Sequence, residues 1–182
     1  YIQTHLSENK DEIDSTLSLC PDCQDYLEVY ERARLVTDRS IFGHCIHLSD
    51  SECRRLVEAS SVVAHCPTSN LFSMLRTMGE AYKVQQLGGY PMSVFESLYK
   101  CTLGAAKALH LDDEIGCFGK GRKADFIVMD YAATPSQQVR MDYLKRHGKW
   151  TLENKLFGLQ TAGDERNIQA TYVMGKRVFT LA

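Results

Sequence analysis

The sequence predicts an α/β protein with parallel strands, and three observations carry that expectation. Short apolar segments alternate with helical stretches, three of those segments end on a histidine, and past residue 111 the pattern changes to longer β-rich runs. Strand, helix, strand over residues 41–64 is the spacing of a βαβ unit, which makes neighbouring strands parallel. Residues 1–111 and 112–182 are therefore expected to form two different kinds of structure.

Tyr1 to Thr4 reads as a short strand, followed by a polar, acidic helix from Glu8 to Leu19 that stops before Cys20 and Pro21. A second helix is expected over residues 25–35, and the next strand over Ile41 to His44. Ser49 at an N-cap with Glu52 three residues on is a capping box, opening a helix that runs to about Ala59. Ser61 to Ala64 is short, apolar and β-branched, as expected of a buried parallel strand, and Pro67 stops it. A helix follows from Phe72 to Leu87, then a turn at Gly88, Gly89, Tyr90 and Pro91, then helices over residues 92–101 and 102–109. Beyond Leu111, strand-like runs at 124–129 and 170–180 are separated by a long polar stretch from Ala132 to Asp164. There is no internal repeat and no low-complexity tract.

With 182 residues, 44% hydrophobic and 24% charged, the chain has an ordinary globular composition and enough apolar surface for a core. Its 21 basic and 23 acidic residues leave a net charge of -2, no footprint for nucleic acid or an anionic membrane, so neither partner is expected. Seven cysteines, an odd number, without a signal peptide or a long apolar run, read as reduced thiols in a cytoplasmic setting.

The chemistry lies at the strand ends. His5 closes the first apolar segment and Glu8 follows three residues later, the layout of a metal-ligating imidazole with a carboxylate placed to move protons. The bland alternatives are a surface histidine and a glutamate favoured by a helix dipole. His44 ends the second segment, as a metal contact or as a buried histidine donating to a backbone carbonyl; His47 falls past the strand end and reads as a loop residue. His65 opens the run His65, Cys66, Pro67, Thr68, Ser69 and Asn70, where it either orients other groups, with Ser69 and Asn70 fixing the loop, or is structural. Cys20 and Cys23 form a C-x-x-C, but a zinc ribbon needs a second pair, and the Pro between the cysteines does not match the zinc-binding order of nucleobase deaminases that use paired cysteines. They read as an exposed turn.

Taken in this order, these residues resemble the metal-dependent amidohydrolase superfamily, and within it the branch that deaminates guanine. Thr102 to His110 and Glu114 to Gly121 are similar to stretches shared across the superfamily, whereas Gly163, Asp164, Glu165, Arg166, Asn167 and Ile168, leading into Tyr172 to Val178, resemble the guanine branch. The resemblance implies a partial TIM-like (β/α)8 barrel over 1–111, about its strands five to seven, and part of a small flanking β domain over 112–182. A complete barrel takes about 250 residues, so the chain is expected to be the C-terminal part of a larger protein.

The implied reaction is zinc-dependent hydrolysis of guanine to xanthine and ammonia. His5 and His44 would hold one zinc and its water, Glu8 would move protons, and His5, Glu8 and His65 would meet the substrate; iron also suits such nitrogen and oxygen ligands. The resemblance further implies a homodimer of full-length subunits. Two alternatives stay open: another amidohydrolase, chlorohydrolase-like or acting on another nucleobase or nucleoside, and an inactive product that pairs with full-length subunits. The family's His-x-His and strand-eight aspartate are missing. No aspartate occurs between Asp50 and Asp112, and after Asn70 roughly thirty residues, about one strand-helix unit of such a barrel, are expected to be absent.

Overall fold

Three short strands, β1 (Ile2–Leu6), β2 (Ser40–His44) and β3 (Val62–Ala64), pair in the order β1-β2-β3, both pairs parallel, in a computed structural model that describes residues 1–66 and 74–181. The chain divides into two compact units, Tyr1–Pro67 and Thr68–Ala182.

In the first unit, parallel pairing is made possible by the helices that carry the chain back: α1 (Lys10–Leu19) and α2 (Tyr26–Arg32) between β1 and β2, and α3 (Asp50–Glu58) between β2 and β3. β1 runs two residues further than expected, which places His5 inside the strand. α1 starts two residues later than expected, because the Asn9 side chain accepts the Glu12 N–H at 2.8 Å and fixes the first turn there. Glu8 therefore lies in the β1–α1 connection and not in the helix. The Ser49 and Glu52 capping box forms as read, each side chain accepting the other's backbone N–H. Cys20 to Cys23 make a turn closed by the Cys23 N–H on the Cys20 carbonyl at 3.0 Å, with Pro21 and Asp22 exposed and both cysteines half-buried.

Leu6, Leu27, Phe42 and Leu56 form the core of this unit, all at most 3% exposed, with Tyr26, Tyr30, Val36, Cys45 and Leu48 packed around them. Each such aliphatic or aromatic side chain contributes ~1.5 to 3 kcal/mol on burial. Arg55 on α3 pairs with Asp25 and Glu31, tying α3 to the ends of α2.

The second unit holds α4 (Met74–Leu87), α5 (Val94–Cys101), α6 (Leu103–Ala108), β4 (Phe126–Met129), α7 (Pro135–Arg146), α8 (Leu152–Ala162), β5 (Ile168–Val173) and β6 (Lys176–Thr180). The division expected near residue 111 falls inside this unit, because α4 and α5 pack on α8, and Leu75, Met78 and Leu159 form one core. The polar stretch 132–164 is largely helical. Thr134 caps α7 in a reciprocal box with Gln137 and Pro135 in its first turn, and Thr151 caps α8. The run read as one strand over 170–180 is a hairpin: β4, β5 and β6 form an antiparallel sheet, and Met174 and Gly175 both take positive φ, 50° and 75°, as a two-residue type I′ turn requires.

Asn167 joins four segments of this unit. Fully buried, it donates from Nδ2 to the Asp130 carbonyl at 2.7 Å and to Gln137 Oε1 at 3.0 Å; its Oδ1 accepts from Gln137 Nε2 at 3.2 Å and from the Asp164 N–H at 3.0 Å. Gln137 also donates to the Ala162 carbonyl at 2.6 Å. The Gly163 to Ile168 element singled out in the sequence thus has a structural job, holding the ends of β4 and α8 and the starts of α7 and β5.

Replacing Asn167 by Ala removes four hydrogen bonds at once, taking their Asn167 partner from the Asp130 carbonyl and the Asp164 N–H and one partner from each end of the Gln137 amide, which should lower the unfolding free energy by at least about 2 kcal/mol. Urea unfolding with an unchanged m-value reads this directly, and a loss below about 0.5 kcal/mol would show the network to be dispensable. In the first unit, burial pushes the Cys45 thiol up to about 12, with Cys53, Cys66 and Glu52 adding to the shift. At pH 8 Cys45 should therefore be the slow thiol toward a disulfide reagent while exposed Cys53 and Cys117 react promptly. Because the folded state holds this proton more tightly than the unfolded chain, its contribution to stability is complete below the model-peptide value of 9.0 and is lost as pH rises toward 12.

Candidate metal centre

The site is built by the carboxyl ends of β1 and β2. Their register sets His5 opposite Gly43 and Leu6 opposite His44. Beyond the ladder, the Cys45 N–H donates to the Leu6 carbonyl at 2.8 Å, and the Ile46 and His47 N–H groups both donate to the Ser7 carbonyl at 3.1 and 3.2 Å. Strict alternation would send the His44 ring to the face of Phe42 and Leu6. Instead His44 and Cys45 both take left-handed backbone, φ 70° and 55°, and Ser7 matches them at 52°. Each such non-glycine residue costs ~1 to 2 kcal/mol, so the two strand ends are held in a shape that local preference disfavours.

The result brings three of the candidate residues together. One ligand atom each from His5, Glu8 and His44 lies within 4.8 Å of the others. His44 Nε2 stands 3.5 Å from Glu8 Oε2, and the His5 and His44 rings meet edge to face with centroids 4.7 Å apart. Donors bound to one zinc at ~2.0 to 2.2 Å stand ~3.5 Å from each other in a tetrahedral site. The His44 and Glu8 pair already has that separation, and the remaining gaps close by about an ångström of side-chain movement. Two imidazoles and a carboxylate are a donor set suited to zinc or iron. The His44 side chain is 5% exposed while that of Glu8 is 41% exposed, so the carboxylate faces the open side.

His65 lies just past β3 and is exposed; it is not part of this cluster. Ser69 and Asn70, expected to fix the loop beside it, lie outside the described residues. His47 is exposed, its backbone used to hold the loop. Cys45, next to His44, stays a thiol at neutral pH and points its Sγ at the carbonyls of Phe42 and Gly43, 3.7 and 3.9 Å away.

Three residues that sequence reading passed over shape the site. A Cβ on Gly43 would stand 3.3 Å from His5 Cδ2 and 3.7 Å from Cys66 Sγ, so the bare glycine makes room for the imidazole. The Tyr30 hydroxyl donates to the His5 carbonyl at 3.0 Å, and Glu12 Oε2 accepts the Glu8 N–H at 2.8 Å. Glu12 was detectable, as the third helical residue after an Asn cap. Tyr30 was not, because nothing local links α2 to β1.

Comparison with known proteins gives this geometry a family. Guanine deaminase of Escherichia coli (strain K12) is 43% identical over 209 residues, covering 98% of this chain and 46% of that protein. Among solved structures, that of E. coli guanine deaminase matches with a TM-score of 0.91 at 42% identity, covering 98% of this chain and 48% of its own. Guanine deaminase from C. acetobutylicum, solved with bound guanine in the active site, matches at 0.75 and 26%, with 97% and 48% covered. An adenosine deaminase from Xanthomonas campestris with bound zinc shares the fold at 0.78 and 21%, with 98% and 45% covered. The chain spans a little under half the length of the curated relatives it matches. An alignment of 209 residues against 98% of 182 leaves roughly thirty positions facing gaps. The sequence model of the amidohydrolase family matches in two pieces, residues 1–73 and 70–178, that meet where the missing residues are expected. Since the two pieces together take in nearly all of its length, the chain belongs to the amidohydrolase family.

Proposed function

We propose that this chain is part of a metal-dependent aminohydrolase that converts guanine and water to xanthine and ammonia. The observation that carries the reading is the convergence of His5, Glu8 and His44 within 4.8 Å at two parallel strand ends. Its support from outside the site is the 43% identity to a guanine deaminase and the match to a guanine-bound deaminase. In this reading β1, β2 and β3 are strands five to seven of a TIM-like barrel, whose active site lies at the carboxyl ends of its strands. The full-length protein would work in the cytoplasm as a homodimer. Among the described residues no helix is long and apolar enough to cross a membrane.

His5 and His44 are the residues that would hold the metal, zinc by preference. When bound, the ion would lower the pKa of water so that hydroxide is available at neutral pH. The rest is done by this chain. Glu8 takes one proton from the attacking water and delivers it to a ring nitrogen of the purine, then takes the remaining hydroxyl proton from the same carbon and passes it to the exocyclic amine, which leaves as ammonia as the C–N bond breaks and the new carbonyl forms. Its exposure suits a group that must reach substrate, and its Oε2 stands 3.5 Å from His44 Nε2. His5, on the open side of the sheet, and His65 would line the purine.

Two histidines are one protein ligand short of an ordinary catalytic zinc site, which takes three plus water. If Glu8 is kept for proton transfer, the 182-residue chain should bind zinc weakly and show no measurable guanine turnover. Chain that retains one zinc through dialysis and forms xanthine would overturn that expectation. In a full-length protein carrying this segment, Glu8→Gln should keep the metal yet lower turnover at least about a hundredfold. His44→Ala should lose metal or turnover far more than His47→Ala. Near-normal ammonia release by folded, metal-loaded Glu8→Gln would remove Glu8 from the chemistry, and equal effects of the two histidine changes would remove His44.

A further inference from the structure

The triad is held from behind by a hydrogen-bonded relay that uses none of its own side chains. Tyr30, on α2, donates its hydroxyl to the His5 carbonyl at 3.0 Å and shares a second bond of 3.0 Å with Thr4 Oγ1. His5 is on the edge strand of the sheet, and successive residues turn their backbone groups to opposite sides. Leu6 faces β2, its carbonyl accepting the Cys45 N–H, so the His5 carbonyl points to the open edge, where Tyr30 caps it. Tyr26, one turn before Tyr30, stacks on it with centroids 5.5 Å apart and donates to Glu12 Oε1 at 3.1 Å. The other carboxylate oxygen of Glu12 accepts the Glu8 N–H at 2.8 Å.

Glu12 occupies the third helical position after the Asn9 cap, where a capping-box glutamate reaches back to the cap residue's own N–H. Here it reaches one residue further, to Glu8. That displacement gives up the usual capping bond for one that fixes the backbone of the carboxylate in the triad. Two of the three converging residues are thus anchored through main-chain atoms by α1 and α2, and the two anchors meet at the stacked tyrosines.

We propose that Glu12 and Tyr30 are positioning residues that hold the backbones of Glu8 and His5 in place, so that the His5 and His44 imidazoles are preorganised for a metal ion with the Glu8 carboxylate and its charge held beside them. The zinc part of the inference rests on the metal reading given above; the positioning part does not. Partners of this kind, which orient ligands without touching the metal, typically carry about 10- to 100-fold in metal affinity.

The test uses the 182-residue chain with Tyr30→Phe, Glu12→Ala and Glu12→Gln, and Ser49→Ala as a control that weakens the start of a helix in the same unit, α3, through a cap that pairs with Glu52 and with none of Glu8, His5, Glu12 and Tyr30. Zinc affinity is read by competition with a chromophoric chelator. Contact between the His5 and His44 rings is read in the metal-free chain by nuclear Overhauser effects, and Glu8 amide protection by hydrogen exchange. We expect Tyr30→Phe to lose the ring contact and Glu12→Ala to lose Glu8 protection, each weakening zinc about tenfold. Glu12→Gln retains a carbonyl acceptor for the Glu8 N–H and should restore both protection and affinity, whereas Ser49→Ala should leave affinity within about twofold of the parent. Unchanged affinity in Tyr30→Phe and Glu12→Ala, or an equal loss in Ser49→Ala, would overturn the proposal. If the parent chain binds no zinc at all, the metal-free readings decide. Loss of ring contact and of Glu8 protection in the two variants would uphold positioning while the metal reading falls, and their persistence would overturn both.

Discussion

The register of β1 against β2 is the constraint on which the site depends. Because parallel strands set residues side by side in fixed order, placing His5 opposite Gly43 decides that an imidazole stands over a residue with no side chain, and that His44 follows one position later. A slip by one residue would put the Phe42 or His44 side chain where Gly43 now leaves space, and would expose Leu6, one of the core residues of this unit. The apolar core and the candidate site therefore enforce the same register. Leu6 and Phe42 on one face hold the strands in the alignment that sets the His5 ring beside the bare Gly43 on the other.

Strand pairing alone does not complete the triad, since alternation directs His5 and His44 to opposite faces. The left-handed residues Ser7, His44 and Cys45 convert two neighbouring strand ends into a convergent pair. Their strain is sustained by three backbone hydrogen bonds, into the carbonyls of Leu6 and Ser7, that no ordinary strand ending would supply. Non-glycine residues in such backbone are rare enough that their clustering beside the two histidines is itself an argument for function. A loop selected for stability alone would place glycine or asparagine there.

What could be read from the sequence was what local chemistry encodes. The Ser49 and Glu52 box and the βαβ order follow from residues within a few positions of one another, and the structure reproduces them; of the three histidines read at strand ends, His44 ends β2, whereas His5 lies inside β1 and His65 just past β3. The same reading failed where the signal was compositional. Helices α7 and α8 were missed because stretch 132–164 is polar, although Thr134 with Pro135 and Gln137, and Thr151 with Asn154, carry the cap chemistry that starts them. The hairpin at Met174 and Gly175 was missed because the turn lacks the Asn or Asp that advertises a type I′ geometry, leaving only the glycine. Gly43, Tyr30 and Glu12 belong to a third kind: their part depends on which atoms lie opposite them, and that is decided only by tertiary structure. The same holds for Asn167, whose motif pointed to a family although its side chain is spent on packing α7, α8 and the β4–β5 pair.

The join near residue 70 between the two pieces of the family match bears on how much of the proposed chemistry this chain could perform. The family match resumes after it, yet no aspartate lies between Asp50 and Asp112, and the described residues contain one cluster with metal-ligand spacing, the triad of the first unit. Glu8 then faces two demands. As a third ligand it would complete a site of ordinary coordination number, but a carboxylate tied to the metal is a poor carrier of protons. As a proton carrier it leaves two imidazoles to bind the ion alone. The anchoring of its N–H by Glu12 fits the second role better, because it holds the backbone while the carboxylate, 41% exposed, is bound among the described residues by no side-chain hydrogen bond beyond its approach to His44 and would be able to reach both water and substrate in the proposed reaction. A metal ligand is better served when its carboxylate itself is fixed by hydrogen bonds, and the approach of His44 at 3.5 Å is the one such restraint the site provides among the described residues.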